Sequence, residues 1–259
     1  MRAVLLERLR RRAGEPPRVY AHRGACRKAP ENTLRAIEIA LDESADGVEI
    51  DVRPCGSGEL VLAHDPDLWR VAGLPRAVHE TPWSVLRRVD LGGGERVALL
   101  EDAISLVAVR EALLNVEVKA DVPSRLELVR ALRRLWERLE PRARDRCWLS
   151  TFDPILCVAL RRALPEPPCA LLFDEAHPIP RVGRWLDVPL RTEGVHPRAP
   201  LVRARDLRRW HRAGRFVVTW TVDDPDEARR LASLGVDGII TDEPGRIRAA
   251  LHDGSPLAH

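Results

Sequence analysis

Short apolar runs recur along the chain and alternate with longer amphipathic stretches. The runs have the length and composition of buried strands, and they cover residues 18–22, 47–52, 60–64, 113–119, 147–152, 169–173, 190–196, 216–222 and 238–241. Helical periodicity between them predicts helices over residues 33–42, 126–139, 154–164 and 225–234, the first with Asn32 as its N-cap. Strands that alternate with helices are typical of parallel β/α units.

One run does not belong to this alternation. Residues 53–58 separate the second run from the third, whereas a parallel crossover needs about a dozen residues or more. The segment therefore predicts a hairpin, with Cys-Gly-Ser-Gly at positions 55–58 as its turn. A tight two-residue turn there would place His64 directly opposite Glu49.

Eight β/α units remain when the return strand of this hairpin is set aside. Right-handed crossovers would close them into an eight-stranded parallel β/α (TIM) barrel, for which about 250 residues are typical. An open, doubly wound sheet is the alternative. We expect a single domain over residues 1–259, with a small insertion over the barrel mouth at about 65–95, one short helix at 83–88 within it, and a frayed tail at about 252–259.

The composition is that of a globular protein with a substantial core. Hydrophobic residues make up 45% and charged residues 31% of the chain, and the net charge of +3 gives no reason to expect nucleic acid or a membrane as partner. The five cysteines show no CxxC spacing, which favours reduced thiols. Without a signal-like core or a run of about 20 apolar residues, we expect a cytoplasmic protein. The sequence does not indicate its oligomeric state.

Polar side chains stand where the early predicted strands end. Because the carboxyl ends of barrel strands converge on one face, where active sites lie, these side chains are expected to meet. Residues two apart on a strand point to the same side. The side chains are His22 and Arg23 on the first strand, Glu49 and Asp51 on the second, His64 and Asp65 on the hairpin return, and Glu117 and Lys119 on the next barrel strand.

Three carboxylates that point into one barrel mouth repel each other, and a hard divalent cation, Mg²⁺ or Ca²⁺, would resolve the repulsion. Arg23 and Lys119 add positive charge, which an anionic phosphoryl group needs. Two histidines could serve as acid and base. Lys119 is one of two lysines among 42 basic residues, and a lysine retained in such a chain suggests a site that needs a compact ammonium. For His196, at the end of a later strand, we favour a structural role.

These motifs resemble the glycerophosphodiester phosphodiesterase family in order and spacing. The early motifs are His22-Arg23-Gly24, Pro30-Glu31-Asn32-Thr33, Glu49-x-Asp51, His64-Asp65 and Glu117-x-Lys119. Later segments agree, and they are Thr151-Phe152-Asp153, Trp220-Thr221-Val222 and the stretch 235–242. The resemblance extends from about residue 20 to residue 246 and so covers nearly the whole chain.

The resemblance implies a β/α barrel and a phosphoric diester hydrolase of lipid and glycerol metabolism. The implied reaction converts a small-molecule glycerophosphodiester into glycerol 3-phosphate and an alcohol. The implied site has one divalent cation on Glu49, Asp51 and Glu117, acid and base roles for His22 and His64, phosphate contacts from Arg23 and Lys119, and further substrate contacts from Phe152 and Trp220.

Some segments depart from the family pattern and leave the preferred alcohol open. They are Trp69-Arg70-Val71-Ala72-Gly73, Ala98-Leu99-Leu100-Glu101-Asp102 and Asp223. Two other functions remain as alternatives. One is a phospholipase-D-like enzyme that cleaves lysophospholipid head groups and forms a cyclic phosphate. The other is a barrel that binds phosphodiesters without catalysis.

Overall fold

The computed structural model of the protein describes residues 2–176 and 192–252. The strands in these ranges are β1 (Arg18–His22), β2 (Gly47–Pro54), β3 (Leu60–Leu62), β4 (Asp67–Leu68), β5 (Leu74–Ala77), β6 (Asp90–Gly92), β7 (Glu95–Arg96), β8 (Leu113–Val118), β9 (Cys147–Thr151), β10 (Cys169–Phe173), β11 (Gly194–Pro197), β12 (Phe216–Thr219) and β13 (Gly238–Thr241). The helices are α1 (Arg2–Leu9), α2 (Leu34–Asp42), α3 (Trp69–Ala72), α4 (Trp83–Leu86), α5 (Leu100–Val109), α6 (Arg125–Arg138), α7 (Pro141–Arg144), α8 (Pro154–Ala163), α9 (Ala204–Arg212), α10 (Pro225–Leu234) and α11 (Pro244–His252).

Eight of these strands form a closed parallel barrel. Its order is β1, β2, β8, β9, β10, β11, β12 and β13, and β13 returns to β1 with Arg18 opposite Gly238. The predicted β/α barrel is confirmed, and the open sheet is wrong. In a closed barrel the carboxyl ends of the strands surround one mouth.

The helices lie where the periodicity predicts them. Helix α10 has the predicted bounds, α8 ends one residue earlier than predicted, and α6 begins and ends one residue earlier than predicted. The predicted N-cap of α2 is wrong. Thr33 caps this helix, because its side chain accepts a hydrogen bond from the amide of Ala36, and Asn32 lies in the loop before it.

The lower interior of the barrel is apolar and is closed by α1, which was not predicted. Leu5 and Leu9 of α1 are fully buried and pack in one cluster with Tyr20, Trp148 and Phe216. Small residues make room for the aromatic rings. A Cβ atom at Gly194 would lie 2.3 Å from the ring of Phe216, so this position admits only glycine.

The hairpin of β2 and β3 exists, but its predicted register is wrong by one residue. Val52 pairs with Leu62, and the amide of Cys55 donates to the carbonyl of Glu59, so the turn has three residues instead of two. Gly58 has a φ of +94°, the left-handed conformation that completes three-residue hairpin loops. His64 therefore does not lie opposite Glu49 in the ladder; it follows the end of β3.

The insertion after β3 has more structure than the single short helix predicted for it. It contains the hairpins β4–β5 and β6–β7 besides α3 and α4. Its apolar side chains, including Leu68, Val78, Leu86 and Val97, form a separate small cluster with the β2–β3 hairpin. Buried apolar contacts of this kind fix the insertion at the barrel mouth.

Two predicted segments lie partly outside the described residues. These are the first part of the run 190–196 and the tail, of which His252 ends α11. None of the described helices is long and apolar enough to cross a membrane. All five cysteines are free thiols.

Candidate active site

The three carboxylates predicted to meet at the barrel mouth do so. Asp51 on β2 pairs in register with Glu117 on the neighbouring strand β8, and Glu49 is two residues before Asp51. One oxygen from each carboxylate lies within 4.8 Å of the others, and all three residues are buried. Parallel pairing of two acidic strands therefore builds the cluster.

Lys119 lies inside this cluster. Its Nζ is 2.7 Å from Asp51 Oδ1 and donates to Glu117 Oε1 at 2.5 Å. Burial disfavours the charged ammonium, but the two carboxylates outweigh burial and raise the pKa of Lys119. The ammonium therefore remains charged against two buried anions.

The pKa values of Glu49 and Asp51 are shifted in opposite directions although both carboxylates are buried in the same cluster. Burial and the charge of Asp51 raise the pKa of Glu49 to about 8. Burial also acts to raise the pKa of Asp51, but Lys119 and Arg23 hold it well below its usual range. Lys119 and Arg23 thus compensate the charge of Asp51 more strongly than that of Glu49.

These residues fit a hard divalent cation. Glu49 Oε1 is buried and has no hydrogen-bond partner among the described residues, although buried polar atoms are almost always paired. The three side chains offer only carboxylate oxygens, the donors that Mg²⁺ and Ca²⁺ prefer.

Asn32 holds Asp51 in place, a role that sequence reasoning missed. Its Nδ2 donates to Asp51 Oδ2 at 2.9 Å, and its Oδ1 accepts from the amide of Asp51 at 3.0 Å. Asn32 and Arg23 both have positive φ angles, 57° and 56°, which are uncommon outside glycine. The sequence signal for this role of Asn32 is the Pro-Glu-Asn-Thr motif, but a helix N-cap would account for an asparagine at this position equally well.

His22 is oriented by Asp242, the second residue that sequence reasoning missed. Nδ1 of His22 lies 2.7 Å from Asp242 Oδ1, and Nε2 lies 3.9 Å from Glu49 Oε2. Burial lowers the pKa of His22, but the bond to Asp242 and the charge of Glu49 outweigh it, so the pKa is raised. Asp242 follows β13, which pairs with β1, and barrel closure thereby brings the two residues together.

His64 has a similar partner in its own neighbour. Its Nδ1 lies 2.7 Å from Asp65 Oδ1, and Arg70 Nε donates to Asp65 Oδ2 at 2.6 Å. Both histidines at the mouth thus engage a carboxylate through Nδ1. This arrangement leaves the Nε2 atom of each ring for other chemistry.

Arg23 lies between the mouth and the loop that precedes α2. Its Nη1 donates to Glu31 Oε1 at 3.0 Å, and its Nε lies 3.3 Å from Asp51 Oδ2. The guanidinium is largely buried, and its backbone amide donates to Glu49 Oε2 at 3.2 Å. Arg23 therefore joins the carboxylate cluster to the surrounding loop.

Phe152 and Trp220 form an aromatic wall on another part of the mouth. Their rings meet edge-on, with centroids 5.4 Å apart, and both side chains are half-buried. Trp220 Nε1 donates to the carbonyl of His196 at 2.8 Å. His196 itself is fully buried inside the barrel, and burial lowers its pKa to about 3.

Fold and site together define a β/α-barrel protein with an acidic, histidine-bearing centre at the carboxyl ends of its strands. The family model for the glycerophosphoryl diester phosphodiesterase family matches residues 22–246, and the chain belongs to this family.

Relatives of known name cover nearly the whole chain. A glycerophosphodiester phosphodiesterase of Caldanaerobacter subterraneus subsp. tengcongensis is 28% identical over 87% of this chain and 94% of its own length. One of Bacillus altitudinis is 28% identical over 88% of this chain and 96% of its own length. The solved structure of an Oleispira antarctica phosphodiesterase in complex with the product sn-glycerol-3-phosphate is 26% identical, with a TM-score of 0.83 over 92% of this chain and 98% of that chain.

Proposed function

We propose that this protein hydrolyses glycerophosphodiesters to glycerol 3-phosphate and an alcohol. The observation that carries the proposal is the pair of histidines, each bound to a carboxylate through Nδ1, beside a buried cluster of three carboxylates. The related Oleispira enzyme, which is bound to sn-glycerol-3-phosphate as its product, supports the choice of substrate.

Glu49, Asp51 and Glu117 would hold one divalent cation, Mg²⁺ or Ca²⁺. When bound, the cation would supply positive charge to the phosphoryl oxygens as the reaction proceeds. The buried Glu49 Oε1, which has no hydrogen-bond partner within residues 2–176 and 192–252, supports this role for the cluster.

His22 and His64 would exchange protons with the attacking and leaving oxygens through their Nε2 atoms. One ring accepts the proton of the attacking hydroxyl, and the other donates a proton to the departing alcohol. Asp242 and Asp65 would fix the orientation and the tautomer of each ring, because each carboxylate accepts the Nδ1 hydrogen bond.

The remaining polar and aromatic residues would hold the diester. Arg23 and Lys119 would contact phosphate oxygens, since both bring positive charge to the carboxylate cluster. Phe152 and Trp220 would contact the organic part of the substrate with their rings. We propose a single barrel domain acting on a small-molecule substrate of lipid and glycerol metabolism. The five free thiols favour a reducing compartment such as the cytoplasm.

The proposal is tested by assaying a panel of glycerophosphodiesters with Mg²⁺, Ca²⁺ and Mn²⁺ and identifying both products. We expect glycerol 3-phosphate and the free alcohol, and no turnover after chelation or with Glu49→Gln. A cyclic phosphate from lysophosphatidylcholine, without activity on glycerophosphocholine, would instead identify the phospholipase-D-like reaction. Tight binding of a glycerophosphodiester without turnover under any of the three metals would identify a binding protein.

A further inference from the structure

Arg70, in the short helix α3 of the insertion, contacts two carboxylates at once. Its Nε donates to Asp65 Oδ2 at 2.6 Å, while Nη1 and Nη2 donate to the two oxygens of Glu31 at 2.8 and 2.6 Å. All three guanidinium nitrogens are therefore engaged. Only the planar fork of an arginine can make a bidentate pair and a third bond in one plane.

Each of these carboxylates has a second partner in the candidate site. The other oxygen of Asp65 holds His64 through Nδ1 at 2.7 Å. Glu31 Oε1 also accepts from Arg23 Nη1 at 3.0 Å. Arg70 is thus the common link between two short chains of hydrogen bonds, one ending at the ring of His64 and the other at the guanidinium of Arg23.

The stability of the fold does not account for this arrangement. The side chain of Arg70 is 49% exposed, and ion pairs in such positions contribute little to the free energy of folding. Its partners are more enclosed, since Glu31 is 18% and Asp65 26% exposed. The bonds therefore matter more for where the two carboxylates are held than for how tightly the insertion is bound.

We propose that Arg70 is a positioning residue that sets His64 and Arg23 in one shared geometry, so that the insertion takes part in catalysis. The inference rests on the proposed function, in which His64 transfers a proton and Arg23 binds the phosphate. Without the guanidinium, Asp65 can rotate away from His64, and Glu31 no longer has a fixed position from which to hold Arg23. Both the proton transfer and the phosphate contact then suffer.

The test compares Arg70→Ala with Arg96→Ala. Arg96 lies in the same insertion, is 46% exposed and pairs with Asp90, but it has no described contact with the site. We expect Arg70→Ala to lose about 100-fold in kcat/KM, with kcat lowered and KM raised together, because small misplacements of reacting groups cost about this much. Arg96→Ala should stay within about two-fold. The two variants should unfold at similar temperatures.

Rescue of activity by added guanidinium ion distinguishes a positioning role from a merely structural one. It should restore part of the activity of Arg70→Ala and leave Arg96→Ala unchanged. In Arg70→Lys the single ammonium cannot reach Asp65 and both oxygens of Glu31 together, so this variant should recover only part of kcat/KM.

Combined substitutions separate the inference from the proposed function. If Arg70 acts through His64 and Arg23, its removal should cost much less in the His64→Ala and Arg23→Ala backgrounds than in the wild type. Equal losses in all backgrounds would overturn the role of Arg70 and leave the proposed function standing. The same conclusion would follow if Arg70→Ala stayed within about three-fold of wild type while His64→Ala and Arg23→Ala lost most of their activity. Full activity in His64→Ala and Arg23→Ala would overturn both.

Discussion

The barrel mouth is charged on the side of β1, β2 and β8, and it is aromatic on the side of β9 and β12. The first side carries the carboxylate cluster, Arg23, Lys119 and both histidines with their carboxylate partners. The second side offers the edge-on rings of Phe152 and Trp220, and Trp220 donates to the backbone carbonyl of the buried His196.

The difference teaches how burial acts on charge. On the first side, burial is offset by neighbours of opposite sign, so that Asp51 and Lys119 stay ionised. On the second side no oppositely charged neighbour offsets burial for His196 among the described residues, and burial lowers the pKa of its ring and keeps it neutral. We infer that the first side performs the chemistry and that the second side shapes the space around it.

The largest effects are expected from the two histidines on the charged side. His22→Ala and His64→Ala should fold normally and each lose at least about 100-fold in kcat, the usual scale for a general acid or base. His79→Ala is the matched control, because Glu80 is the only charged partner of this exposed histidine in the part of the chain that the structure describes. Steady-state assays decide the matter, and near-wild-type turnover in both active-site variants would refute the assignment.

A smaller but still large effect is expected from Lys119→Arg. A guanidinium is too broad for the space between Asp51 and Glu117, so we expect kcat/KM to fall about 100-fold, or about 2.7 kcal/mol of transition-state stabilisation, with the fold retained. Lys28→Arg is the control, since Lys28 is a surface residue paired with Glu43. Equal and near-silent outcomes for the two variants would show that Lys119 is not at the phosphate.

The smallest effect on activity is expected from the aromatic side. His196→Gln should leave turnover at neutral pH within a few-fold, but it should change how stability depends on pH. The pKa of His196 is lowered from 6.5 to about 3 in the folded state. The unfolded chain therefore binds more protons between these values, and stability is lost as the pH falls below 6.5.

This loss amounts to about 2 kcal/mol near pH 5 for the wild type, and it should be absent in His196→Gln. Urea unfolding midpoints measured between pH 7 and pH 5 test the difference. A wild-type slope in His196→Gln would mean that His196 is not buried in its neutral form.

The barrel could be predicted from the sequence because its signal is local and repeated. Strands β1, β10 and β13 have the predicted bounds, since each is a short apolar run between polar segments. The hairpin register was not predictable in the same way. It depended on whether Gly58 takes part in the turn. The return strand Leu60–Leu62 is apolar at every position, so its sequence does not show which side chains face the core.

The residues that face the candidate site could be predicted from the sequence, whereas the residues that hold them in place could not. Glu49, Asp51 and Glu117 stand out in the sequence as charged residues on buried strands, and the structure brings them together. Asn32 and Asp242 do not, because their importance lies in contacts with residues 19 and 220 positions away in the chain. Tertiary packing brings each pair together, through barrel closure in the case of His22 and Asp242, and the periodicity of the sequence does not show such contacts.

The pairing of the first strand with the last has a consequence for the order in which the protein becomes competent. Residues 22 to 119 leave the ribosome early and contain the carboxylates, both histidines and Lys119. The carboxylate partner of His22, Asp242, nevertheless lies 220 residues later in the chain, and the two side chains meet only when β13 pairs with β1. A chain interrupted before this point would hold the carboxylates and both histidines but would leave His22 without its carboxylate partner. The His22–Asp242 bond thus ties the completion of the site to the synthesis of the last barrel strand.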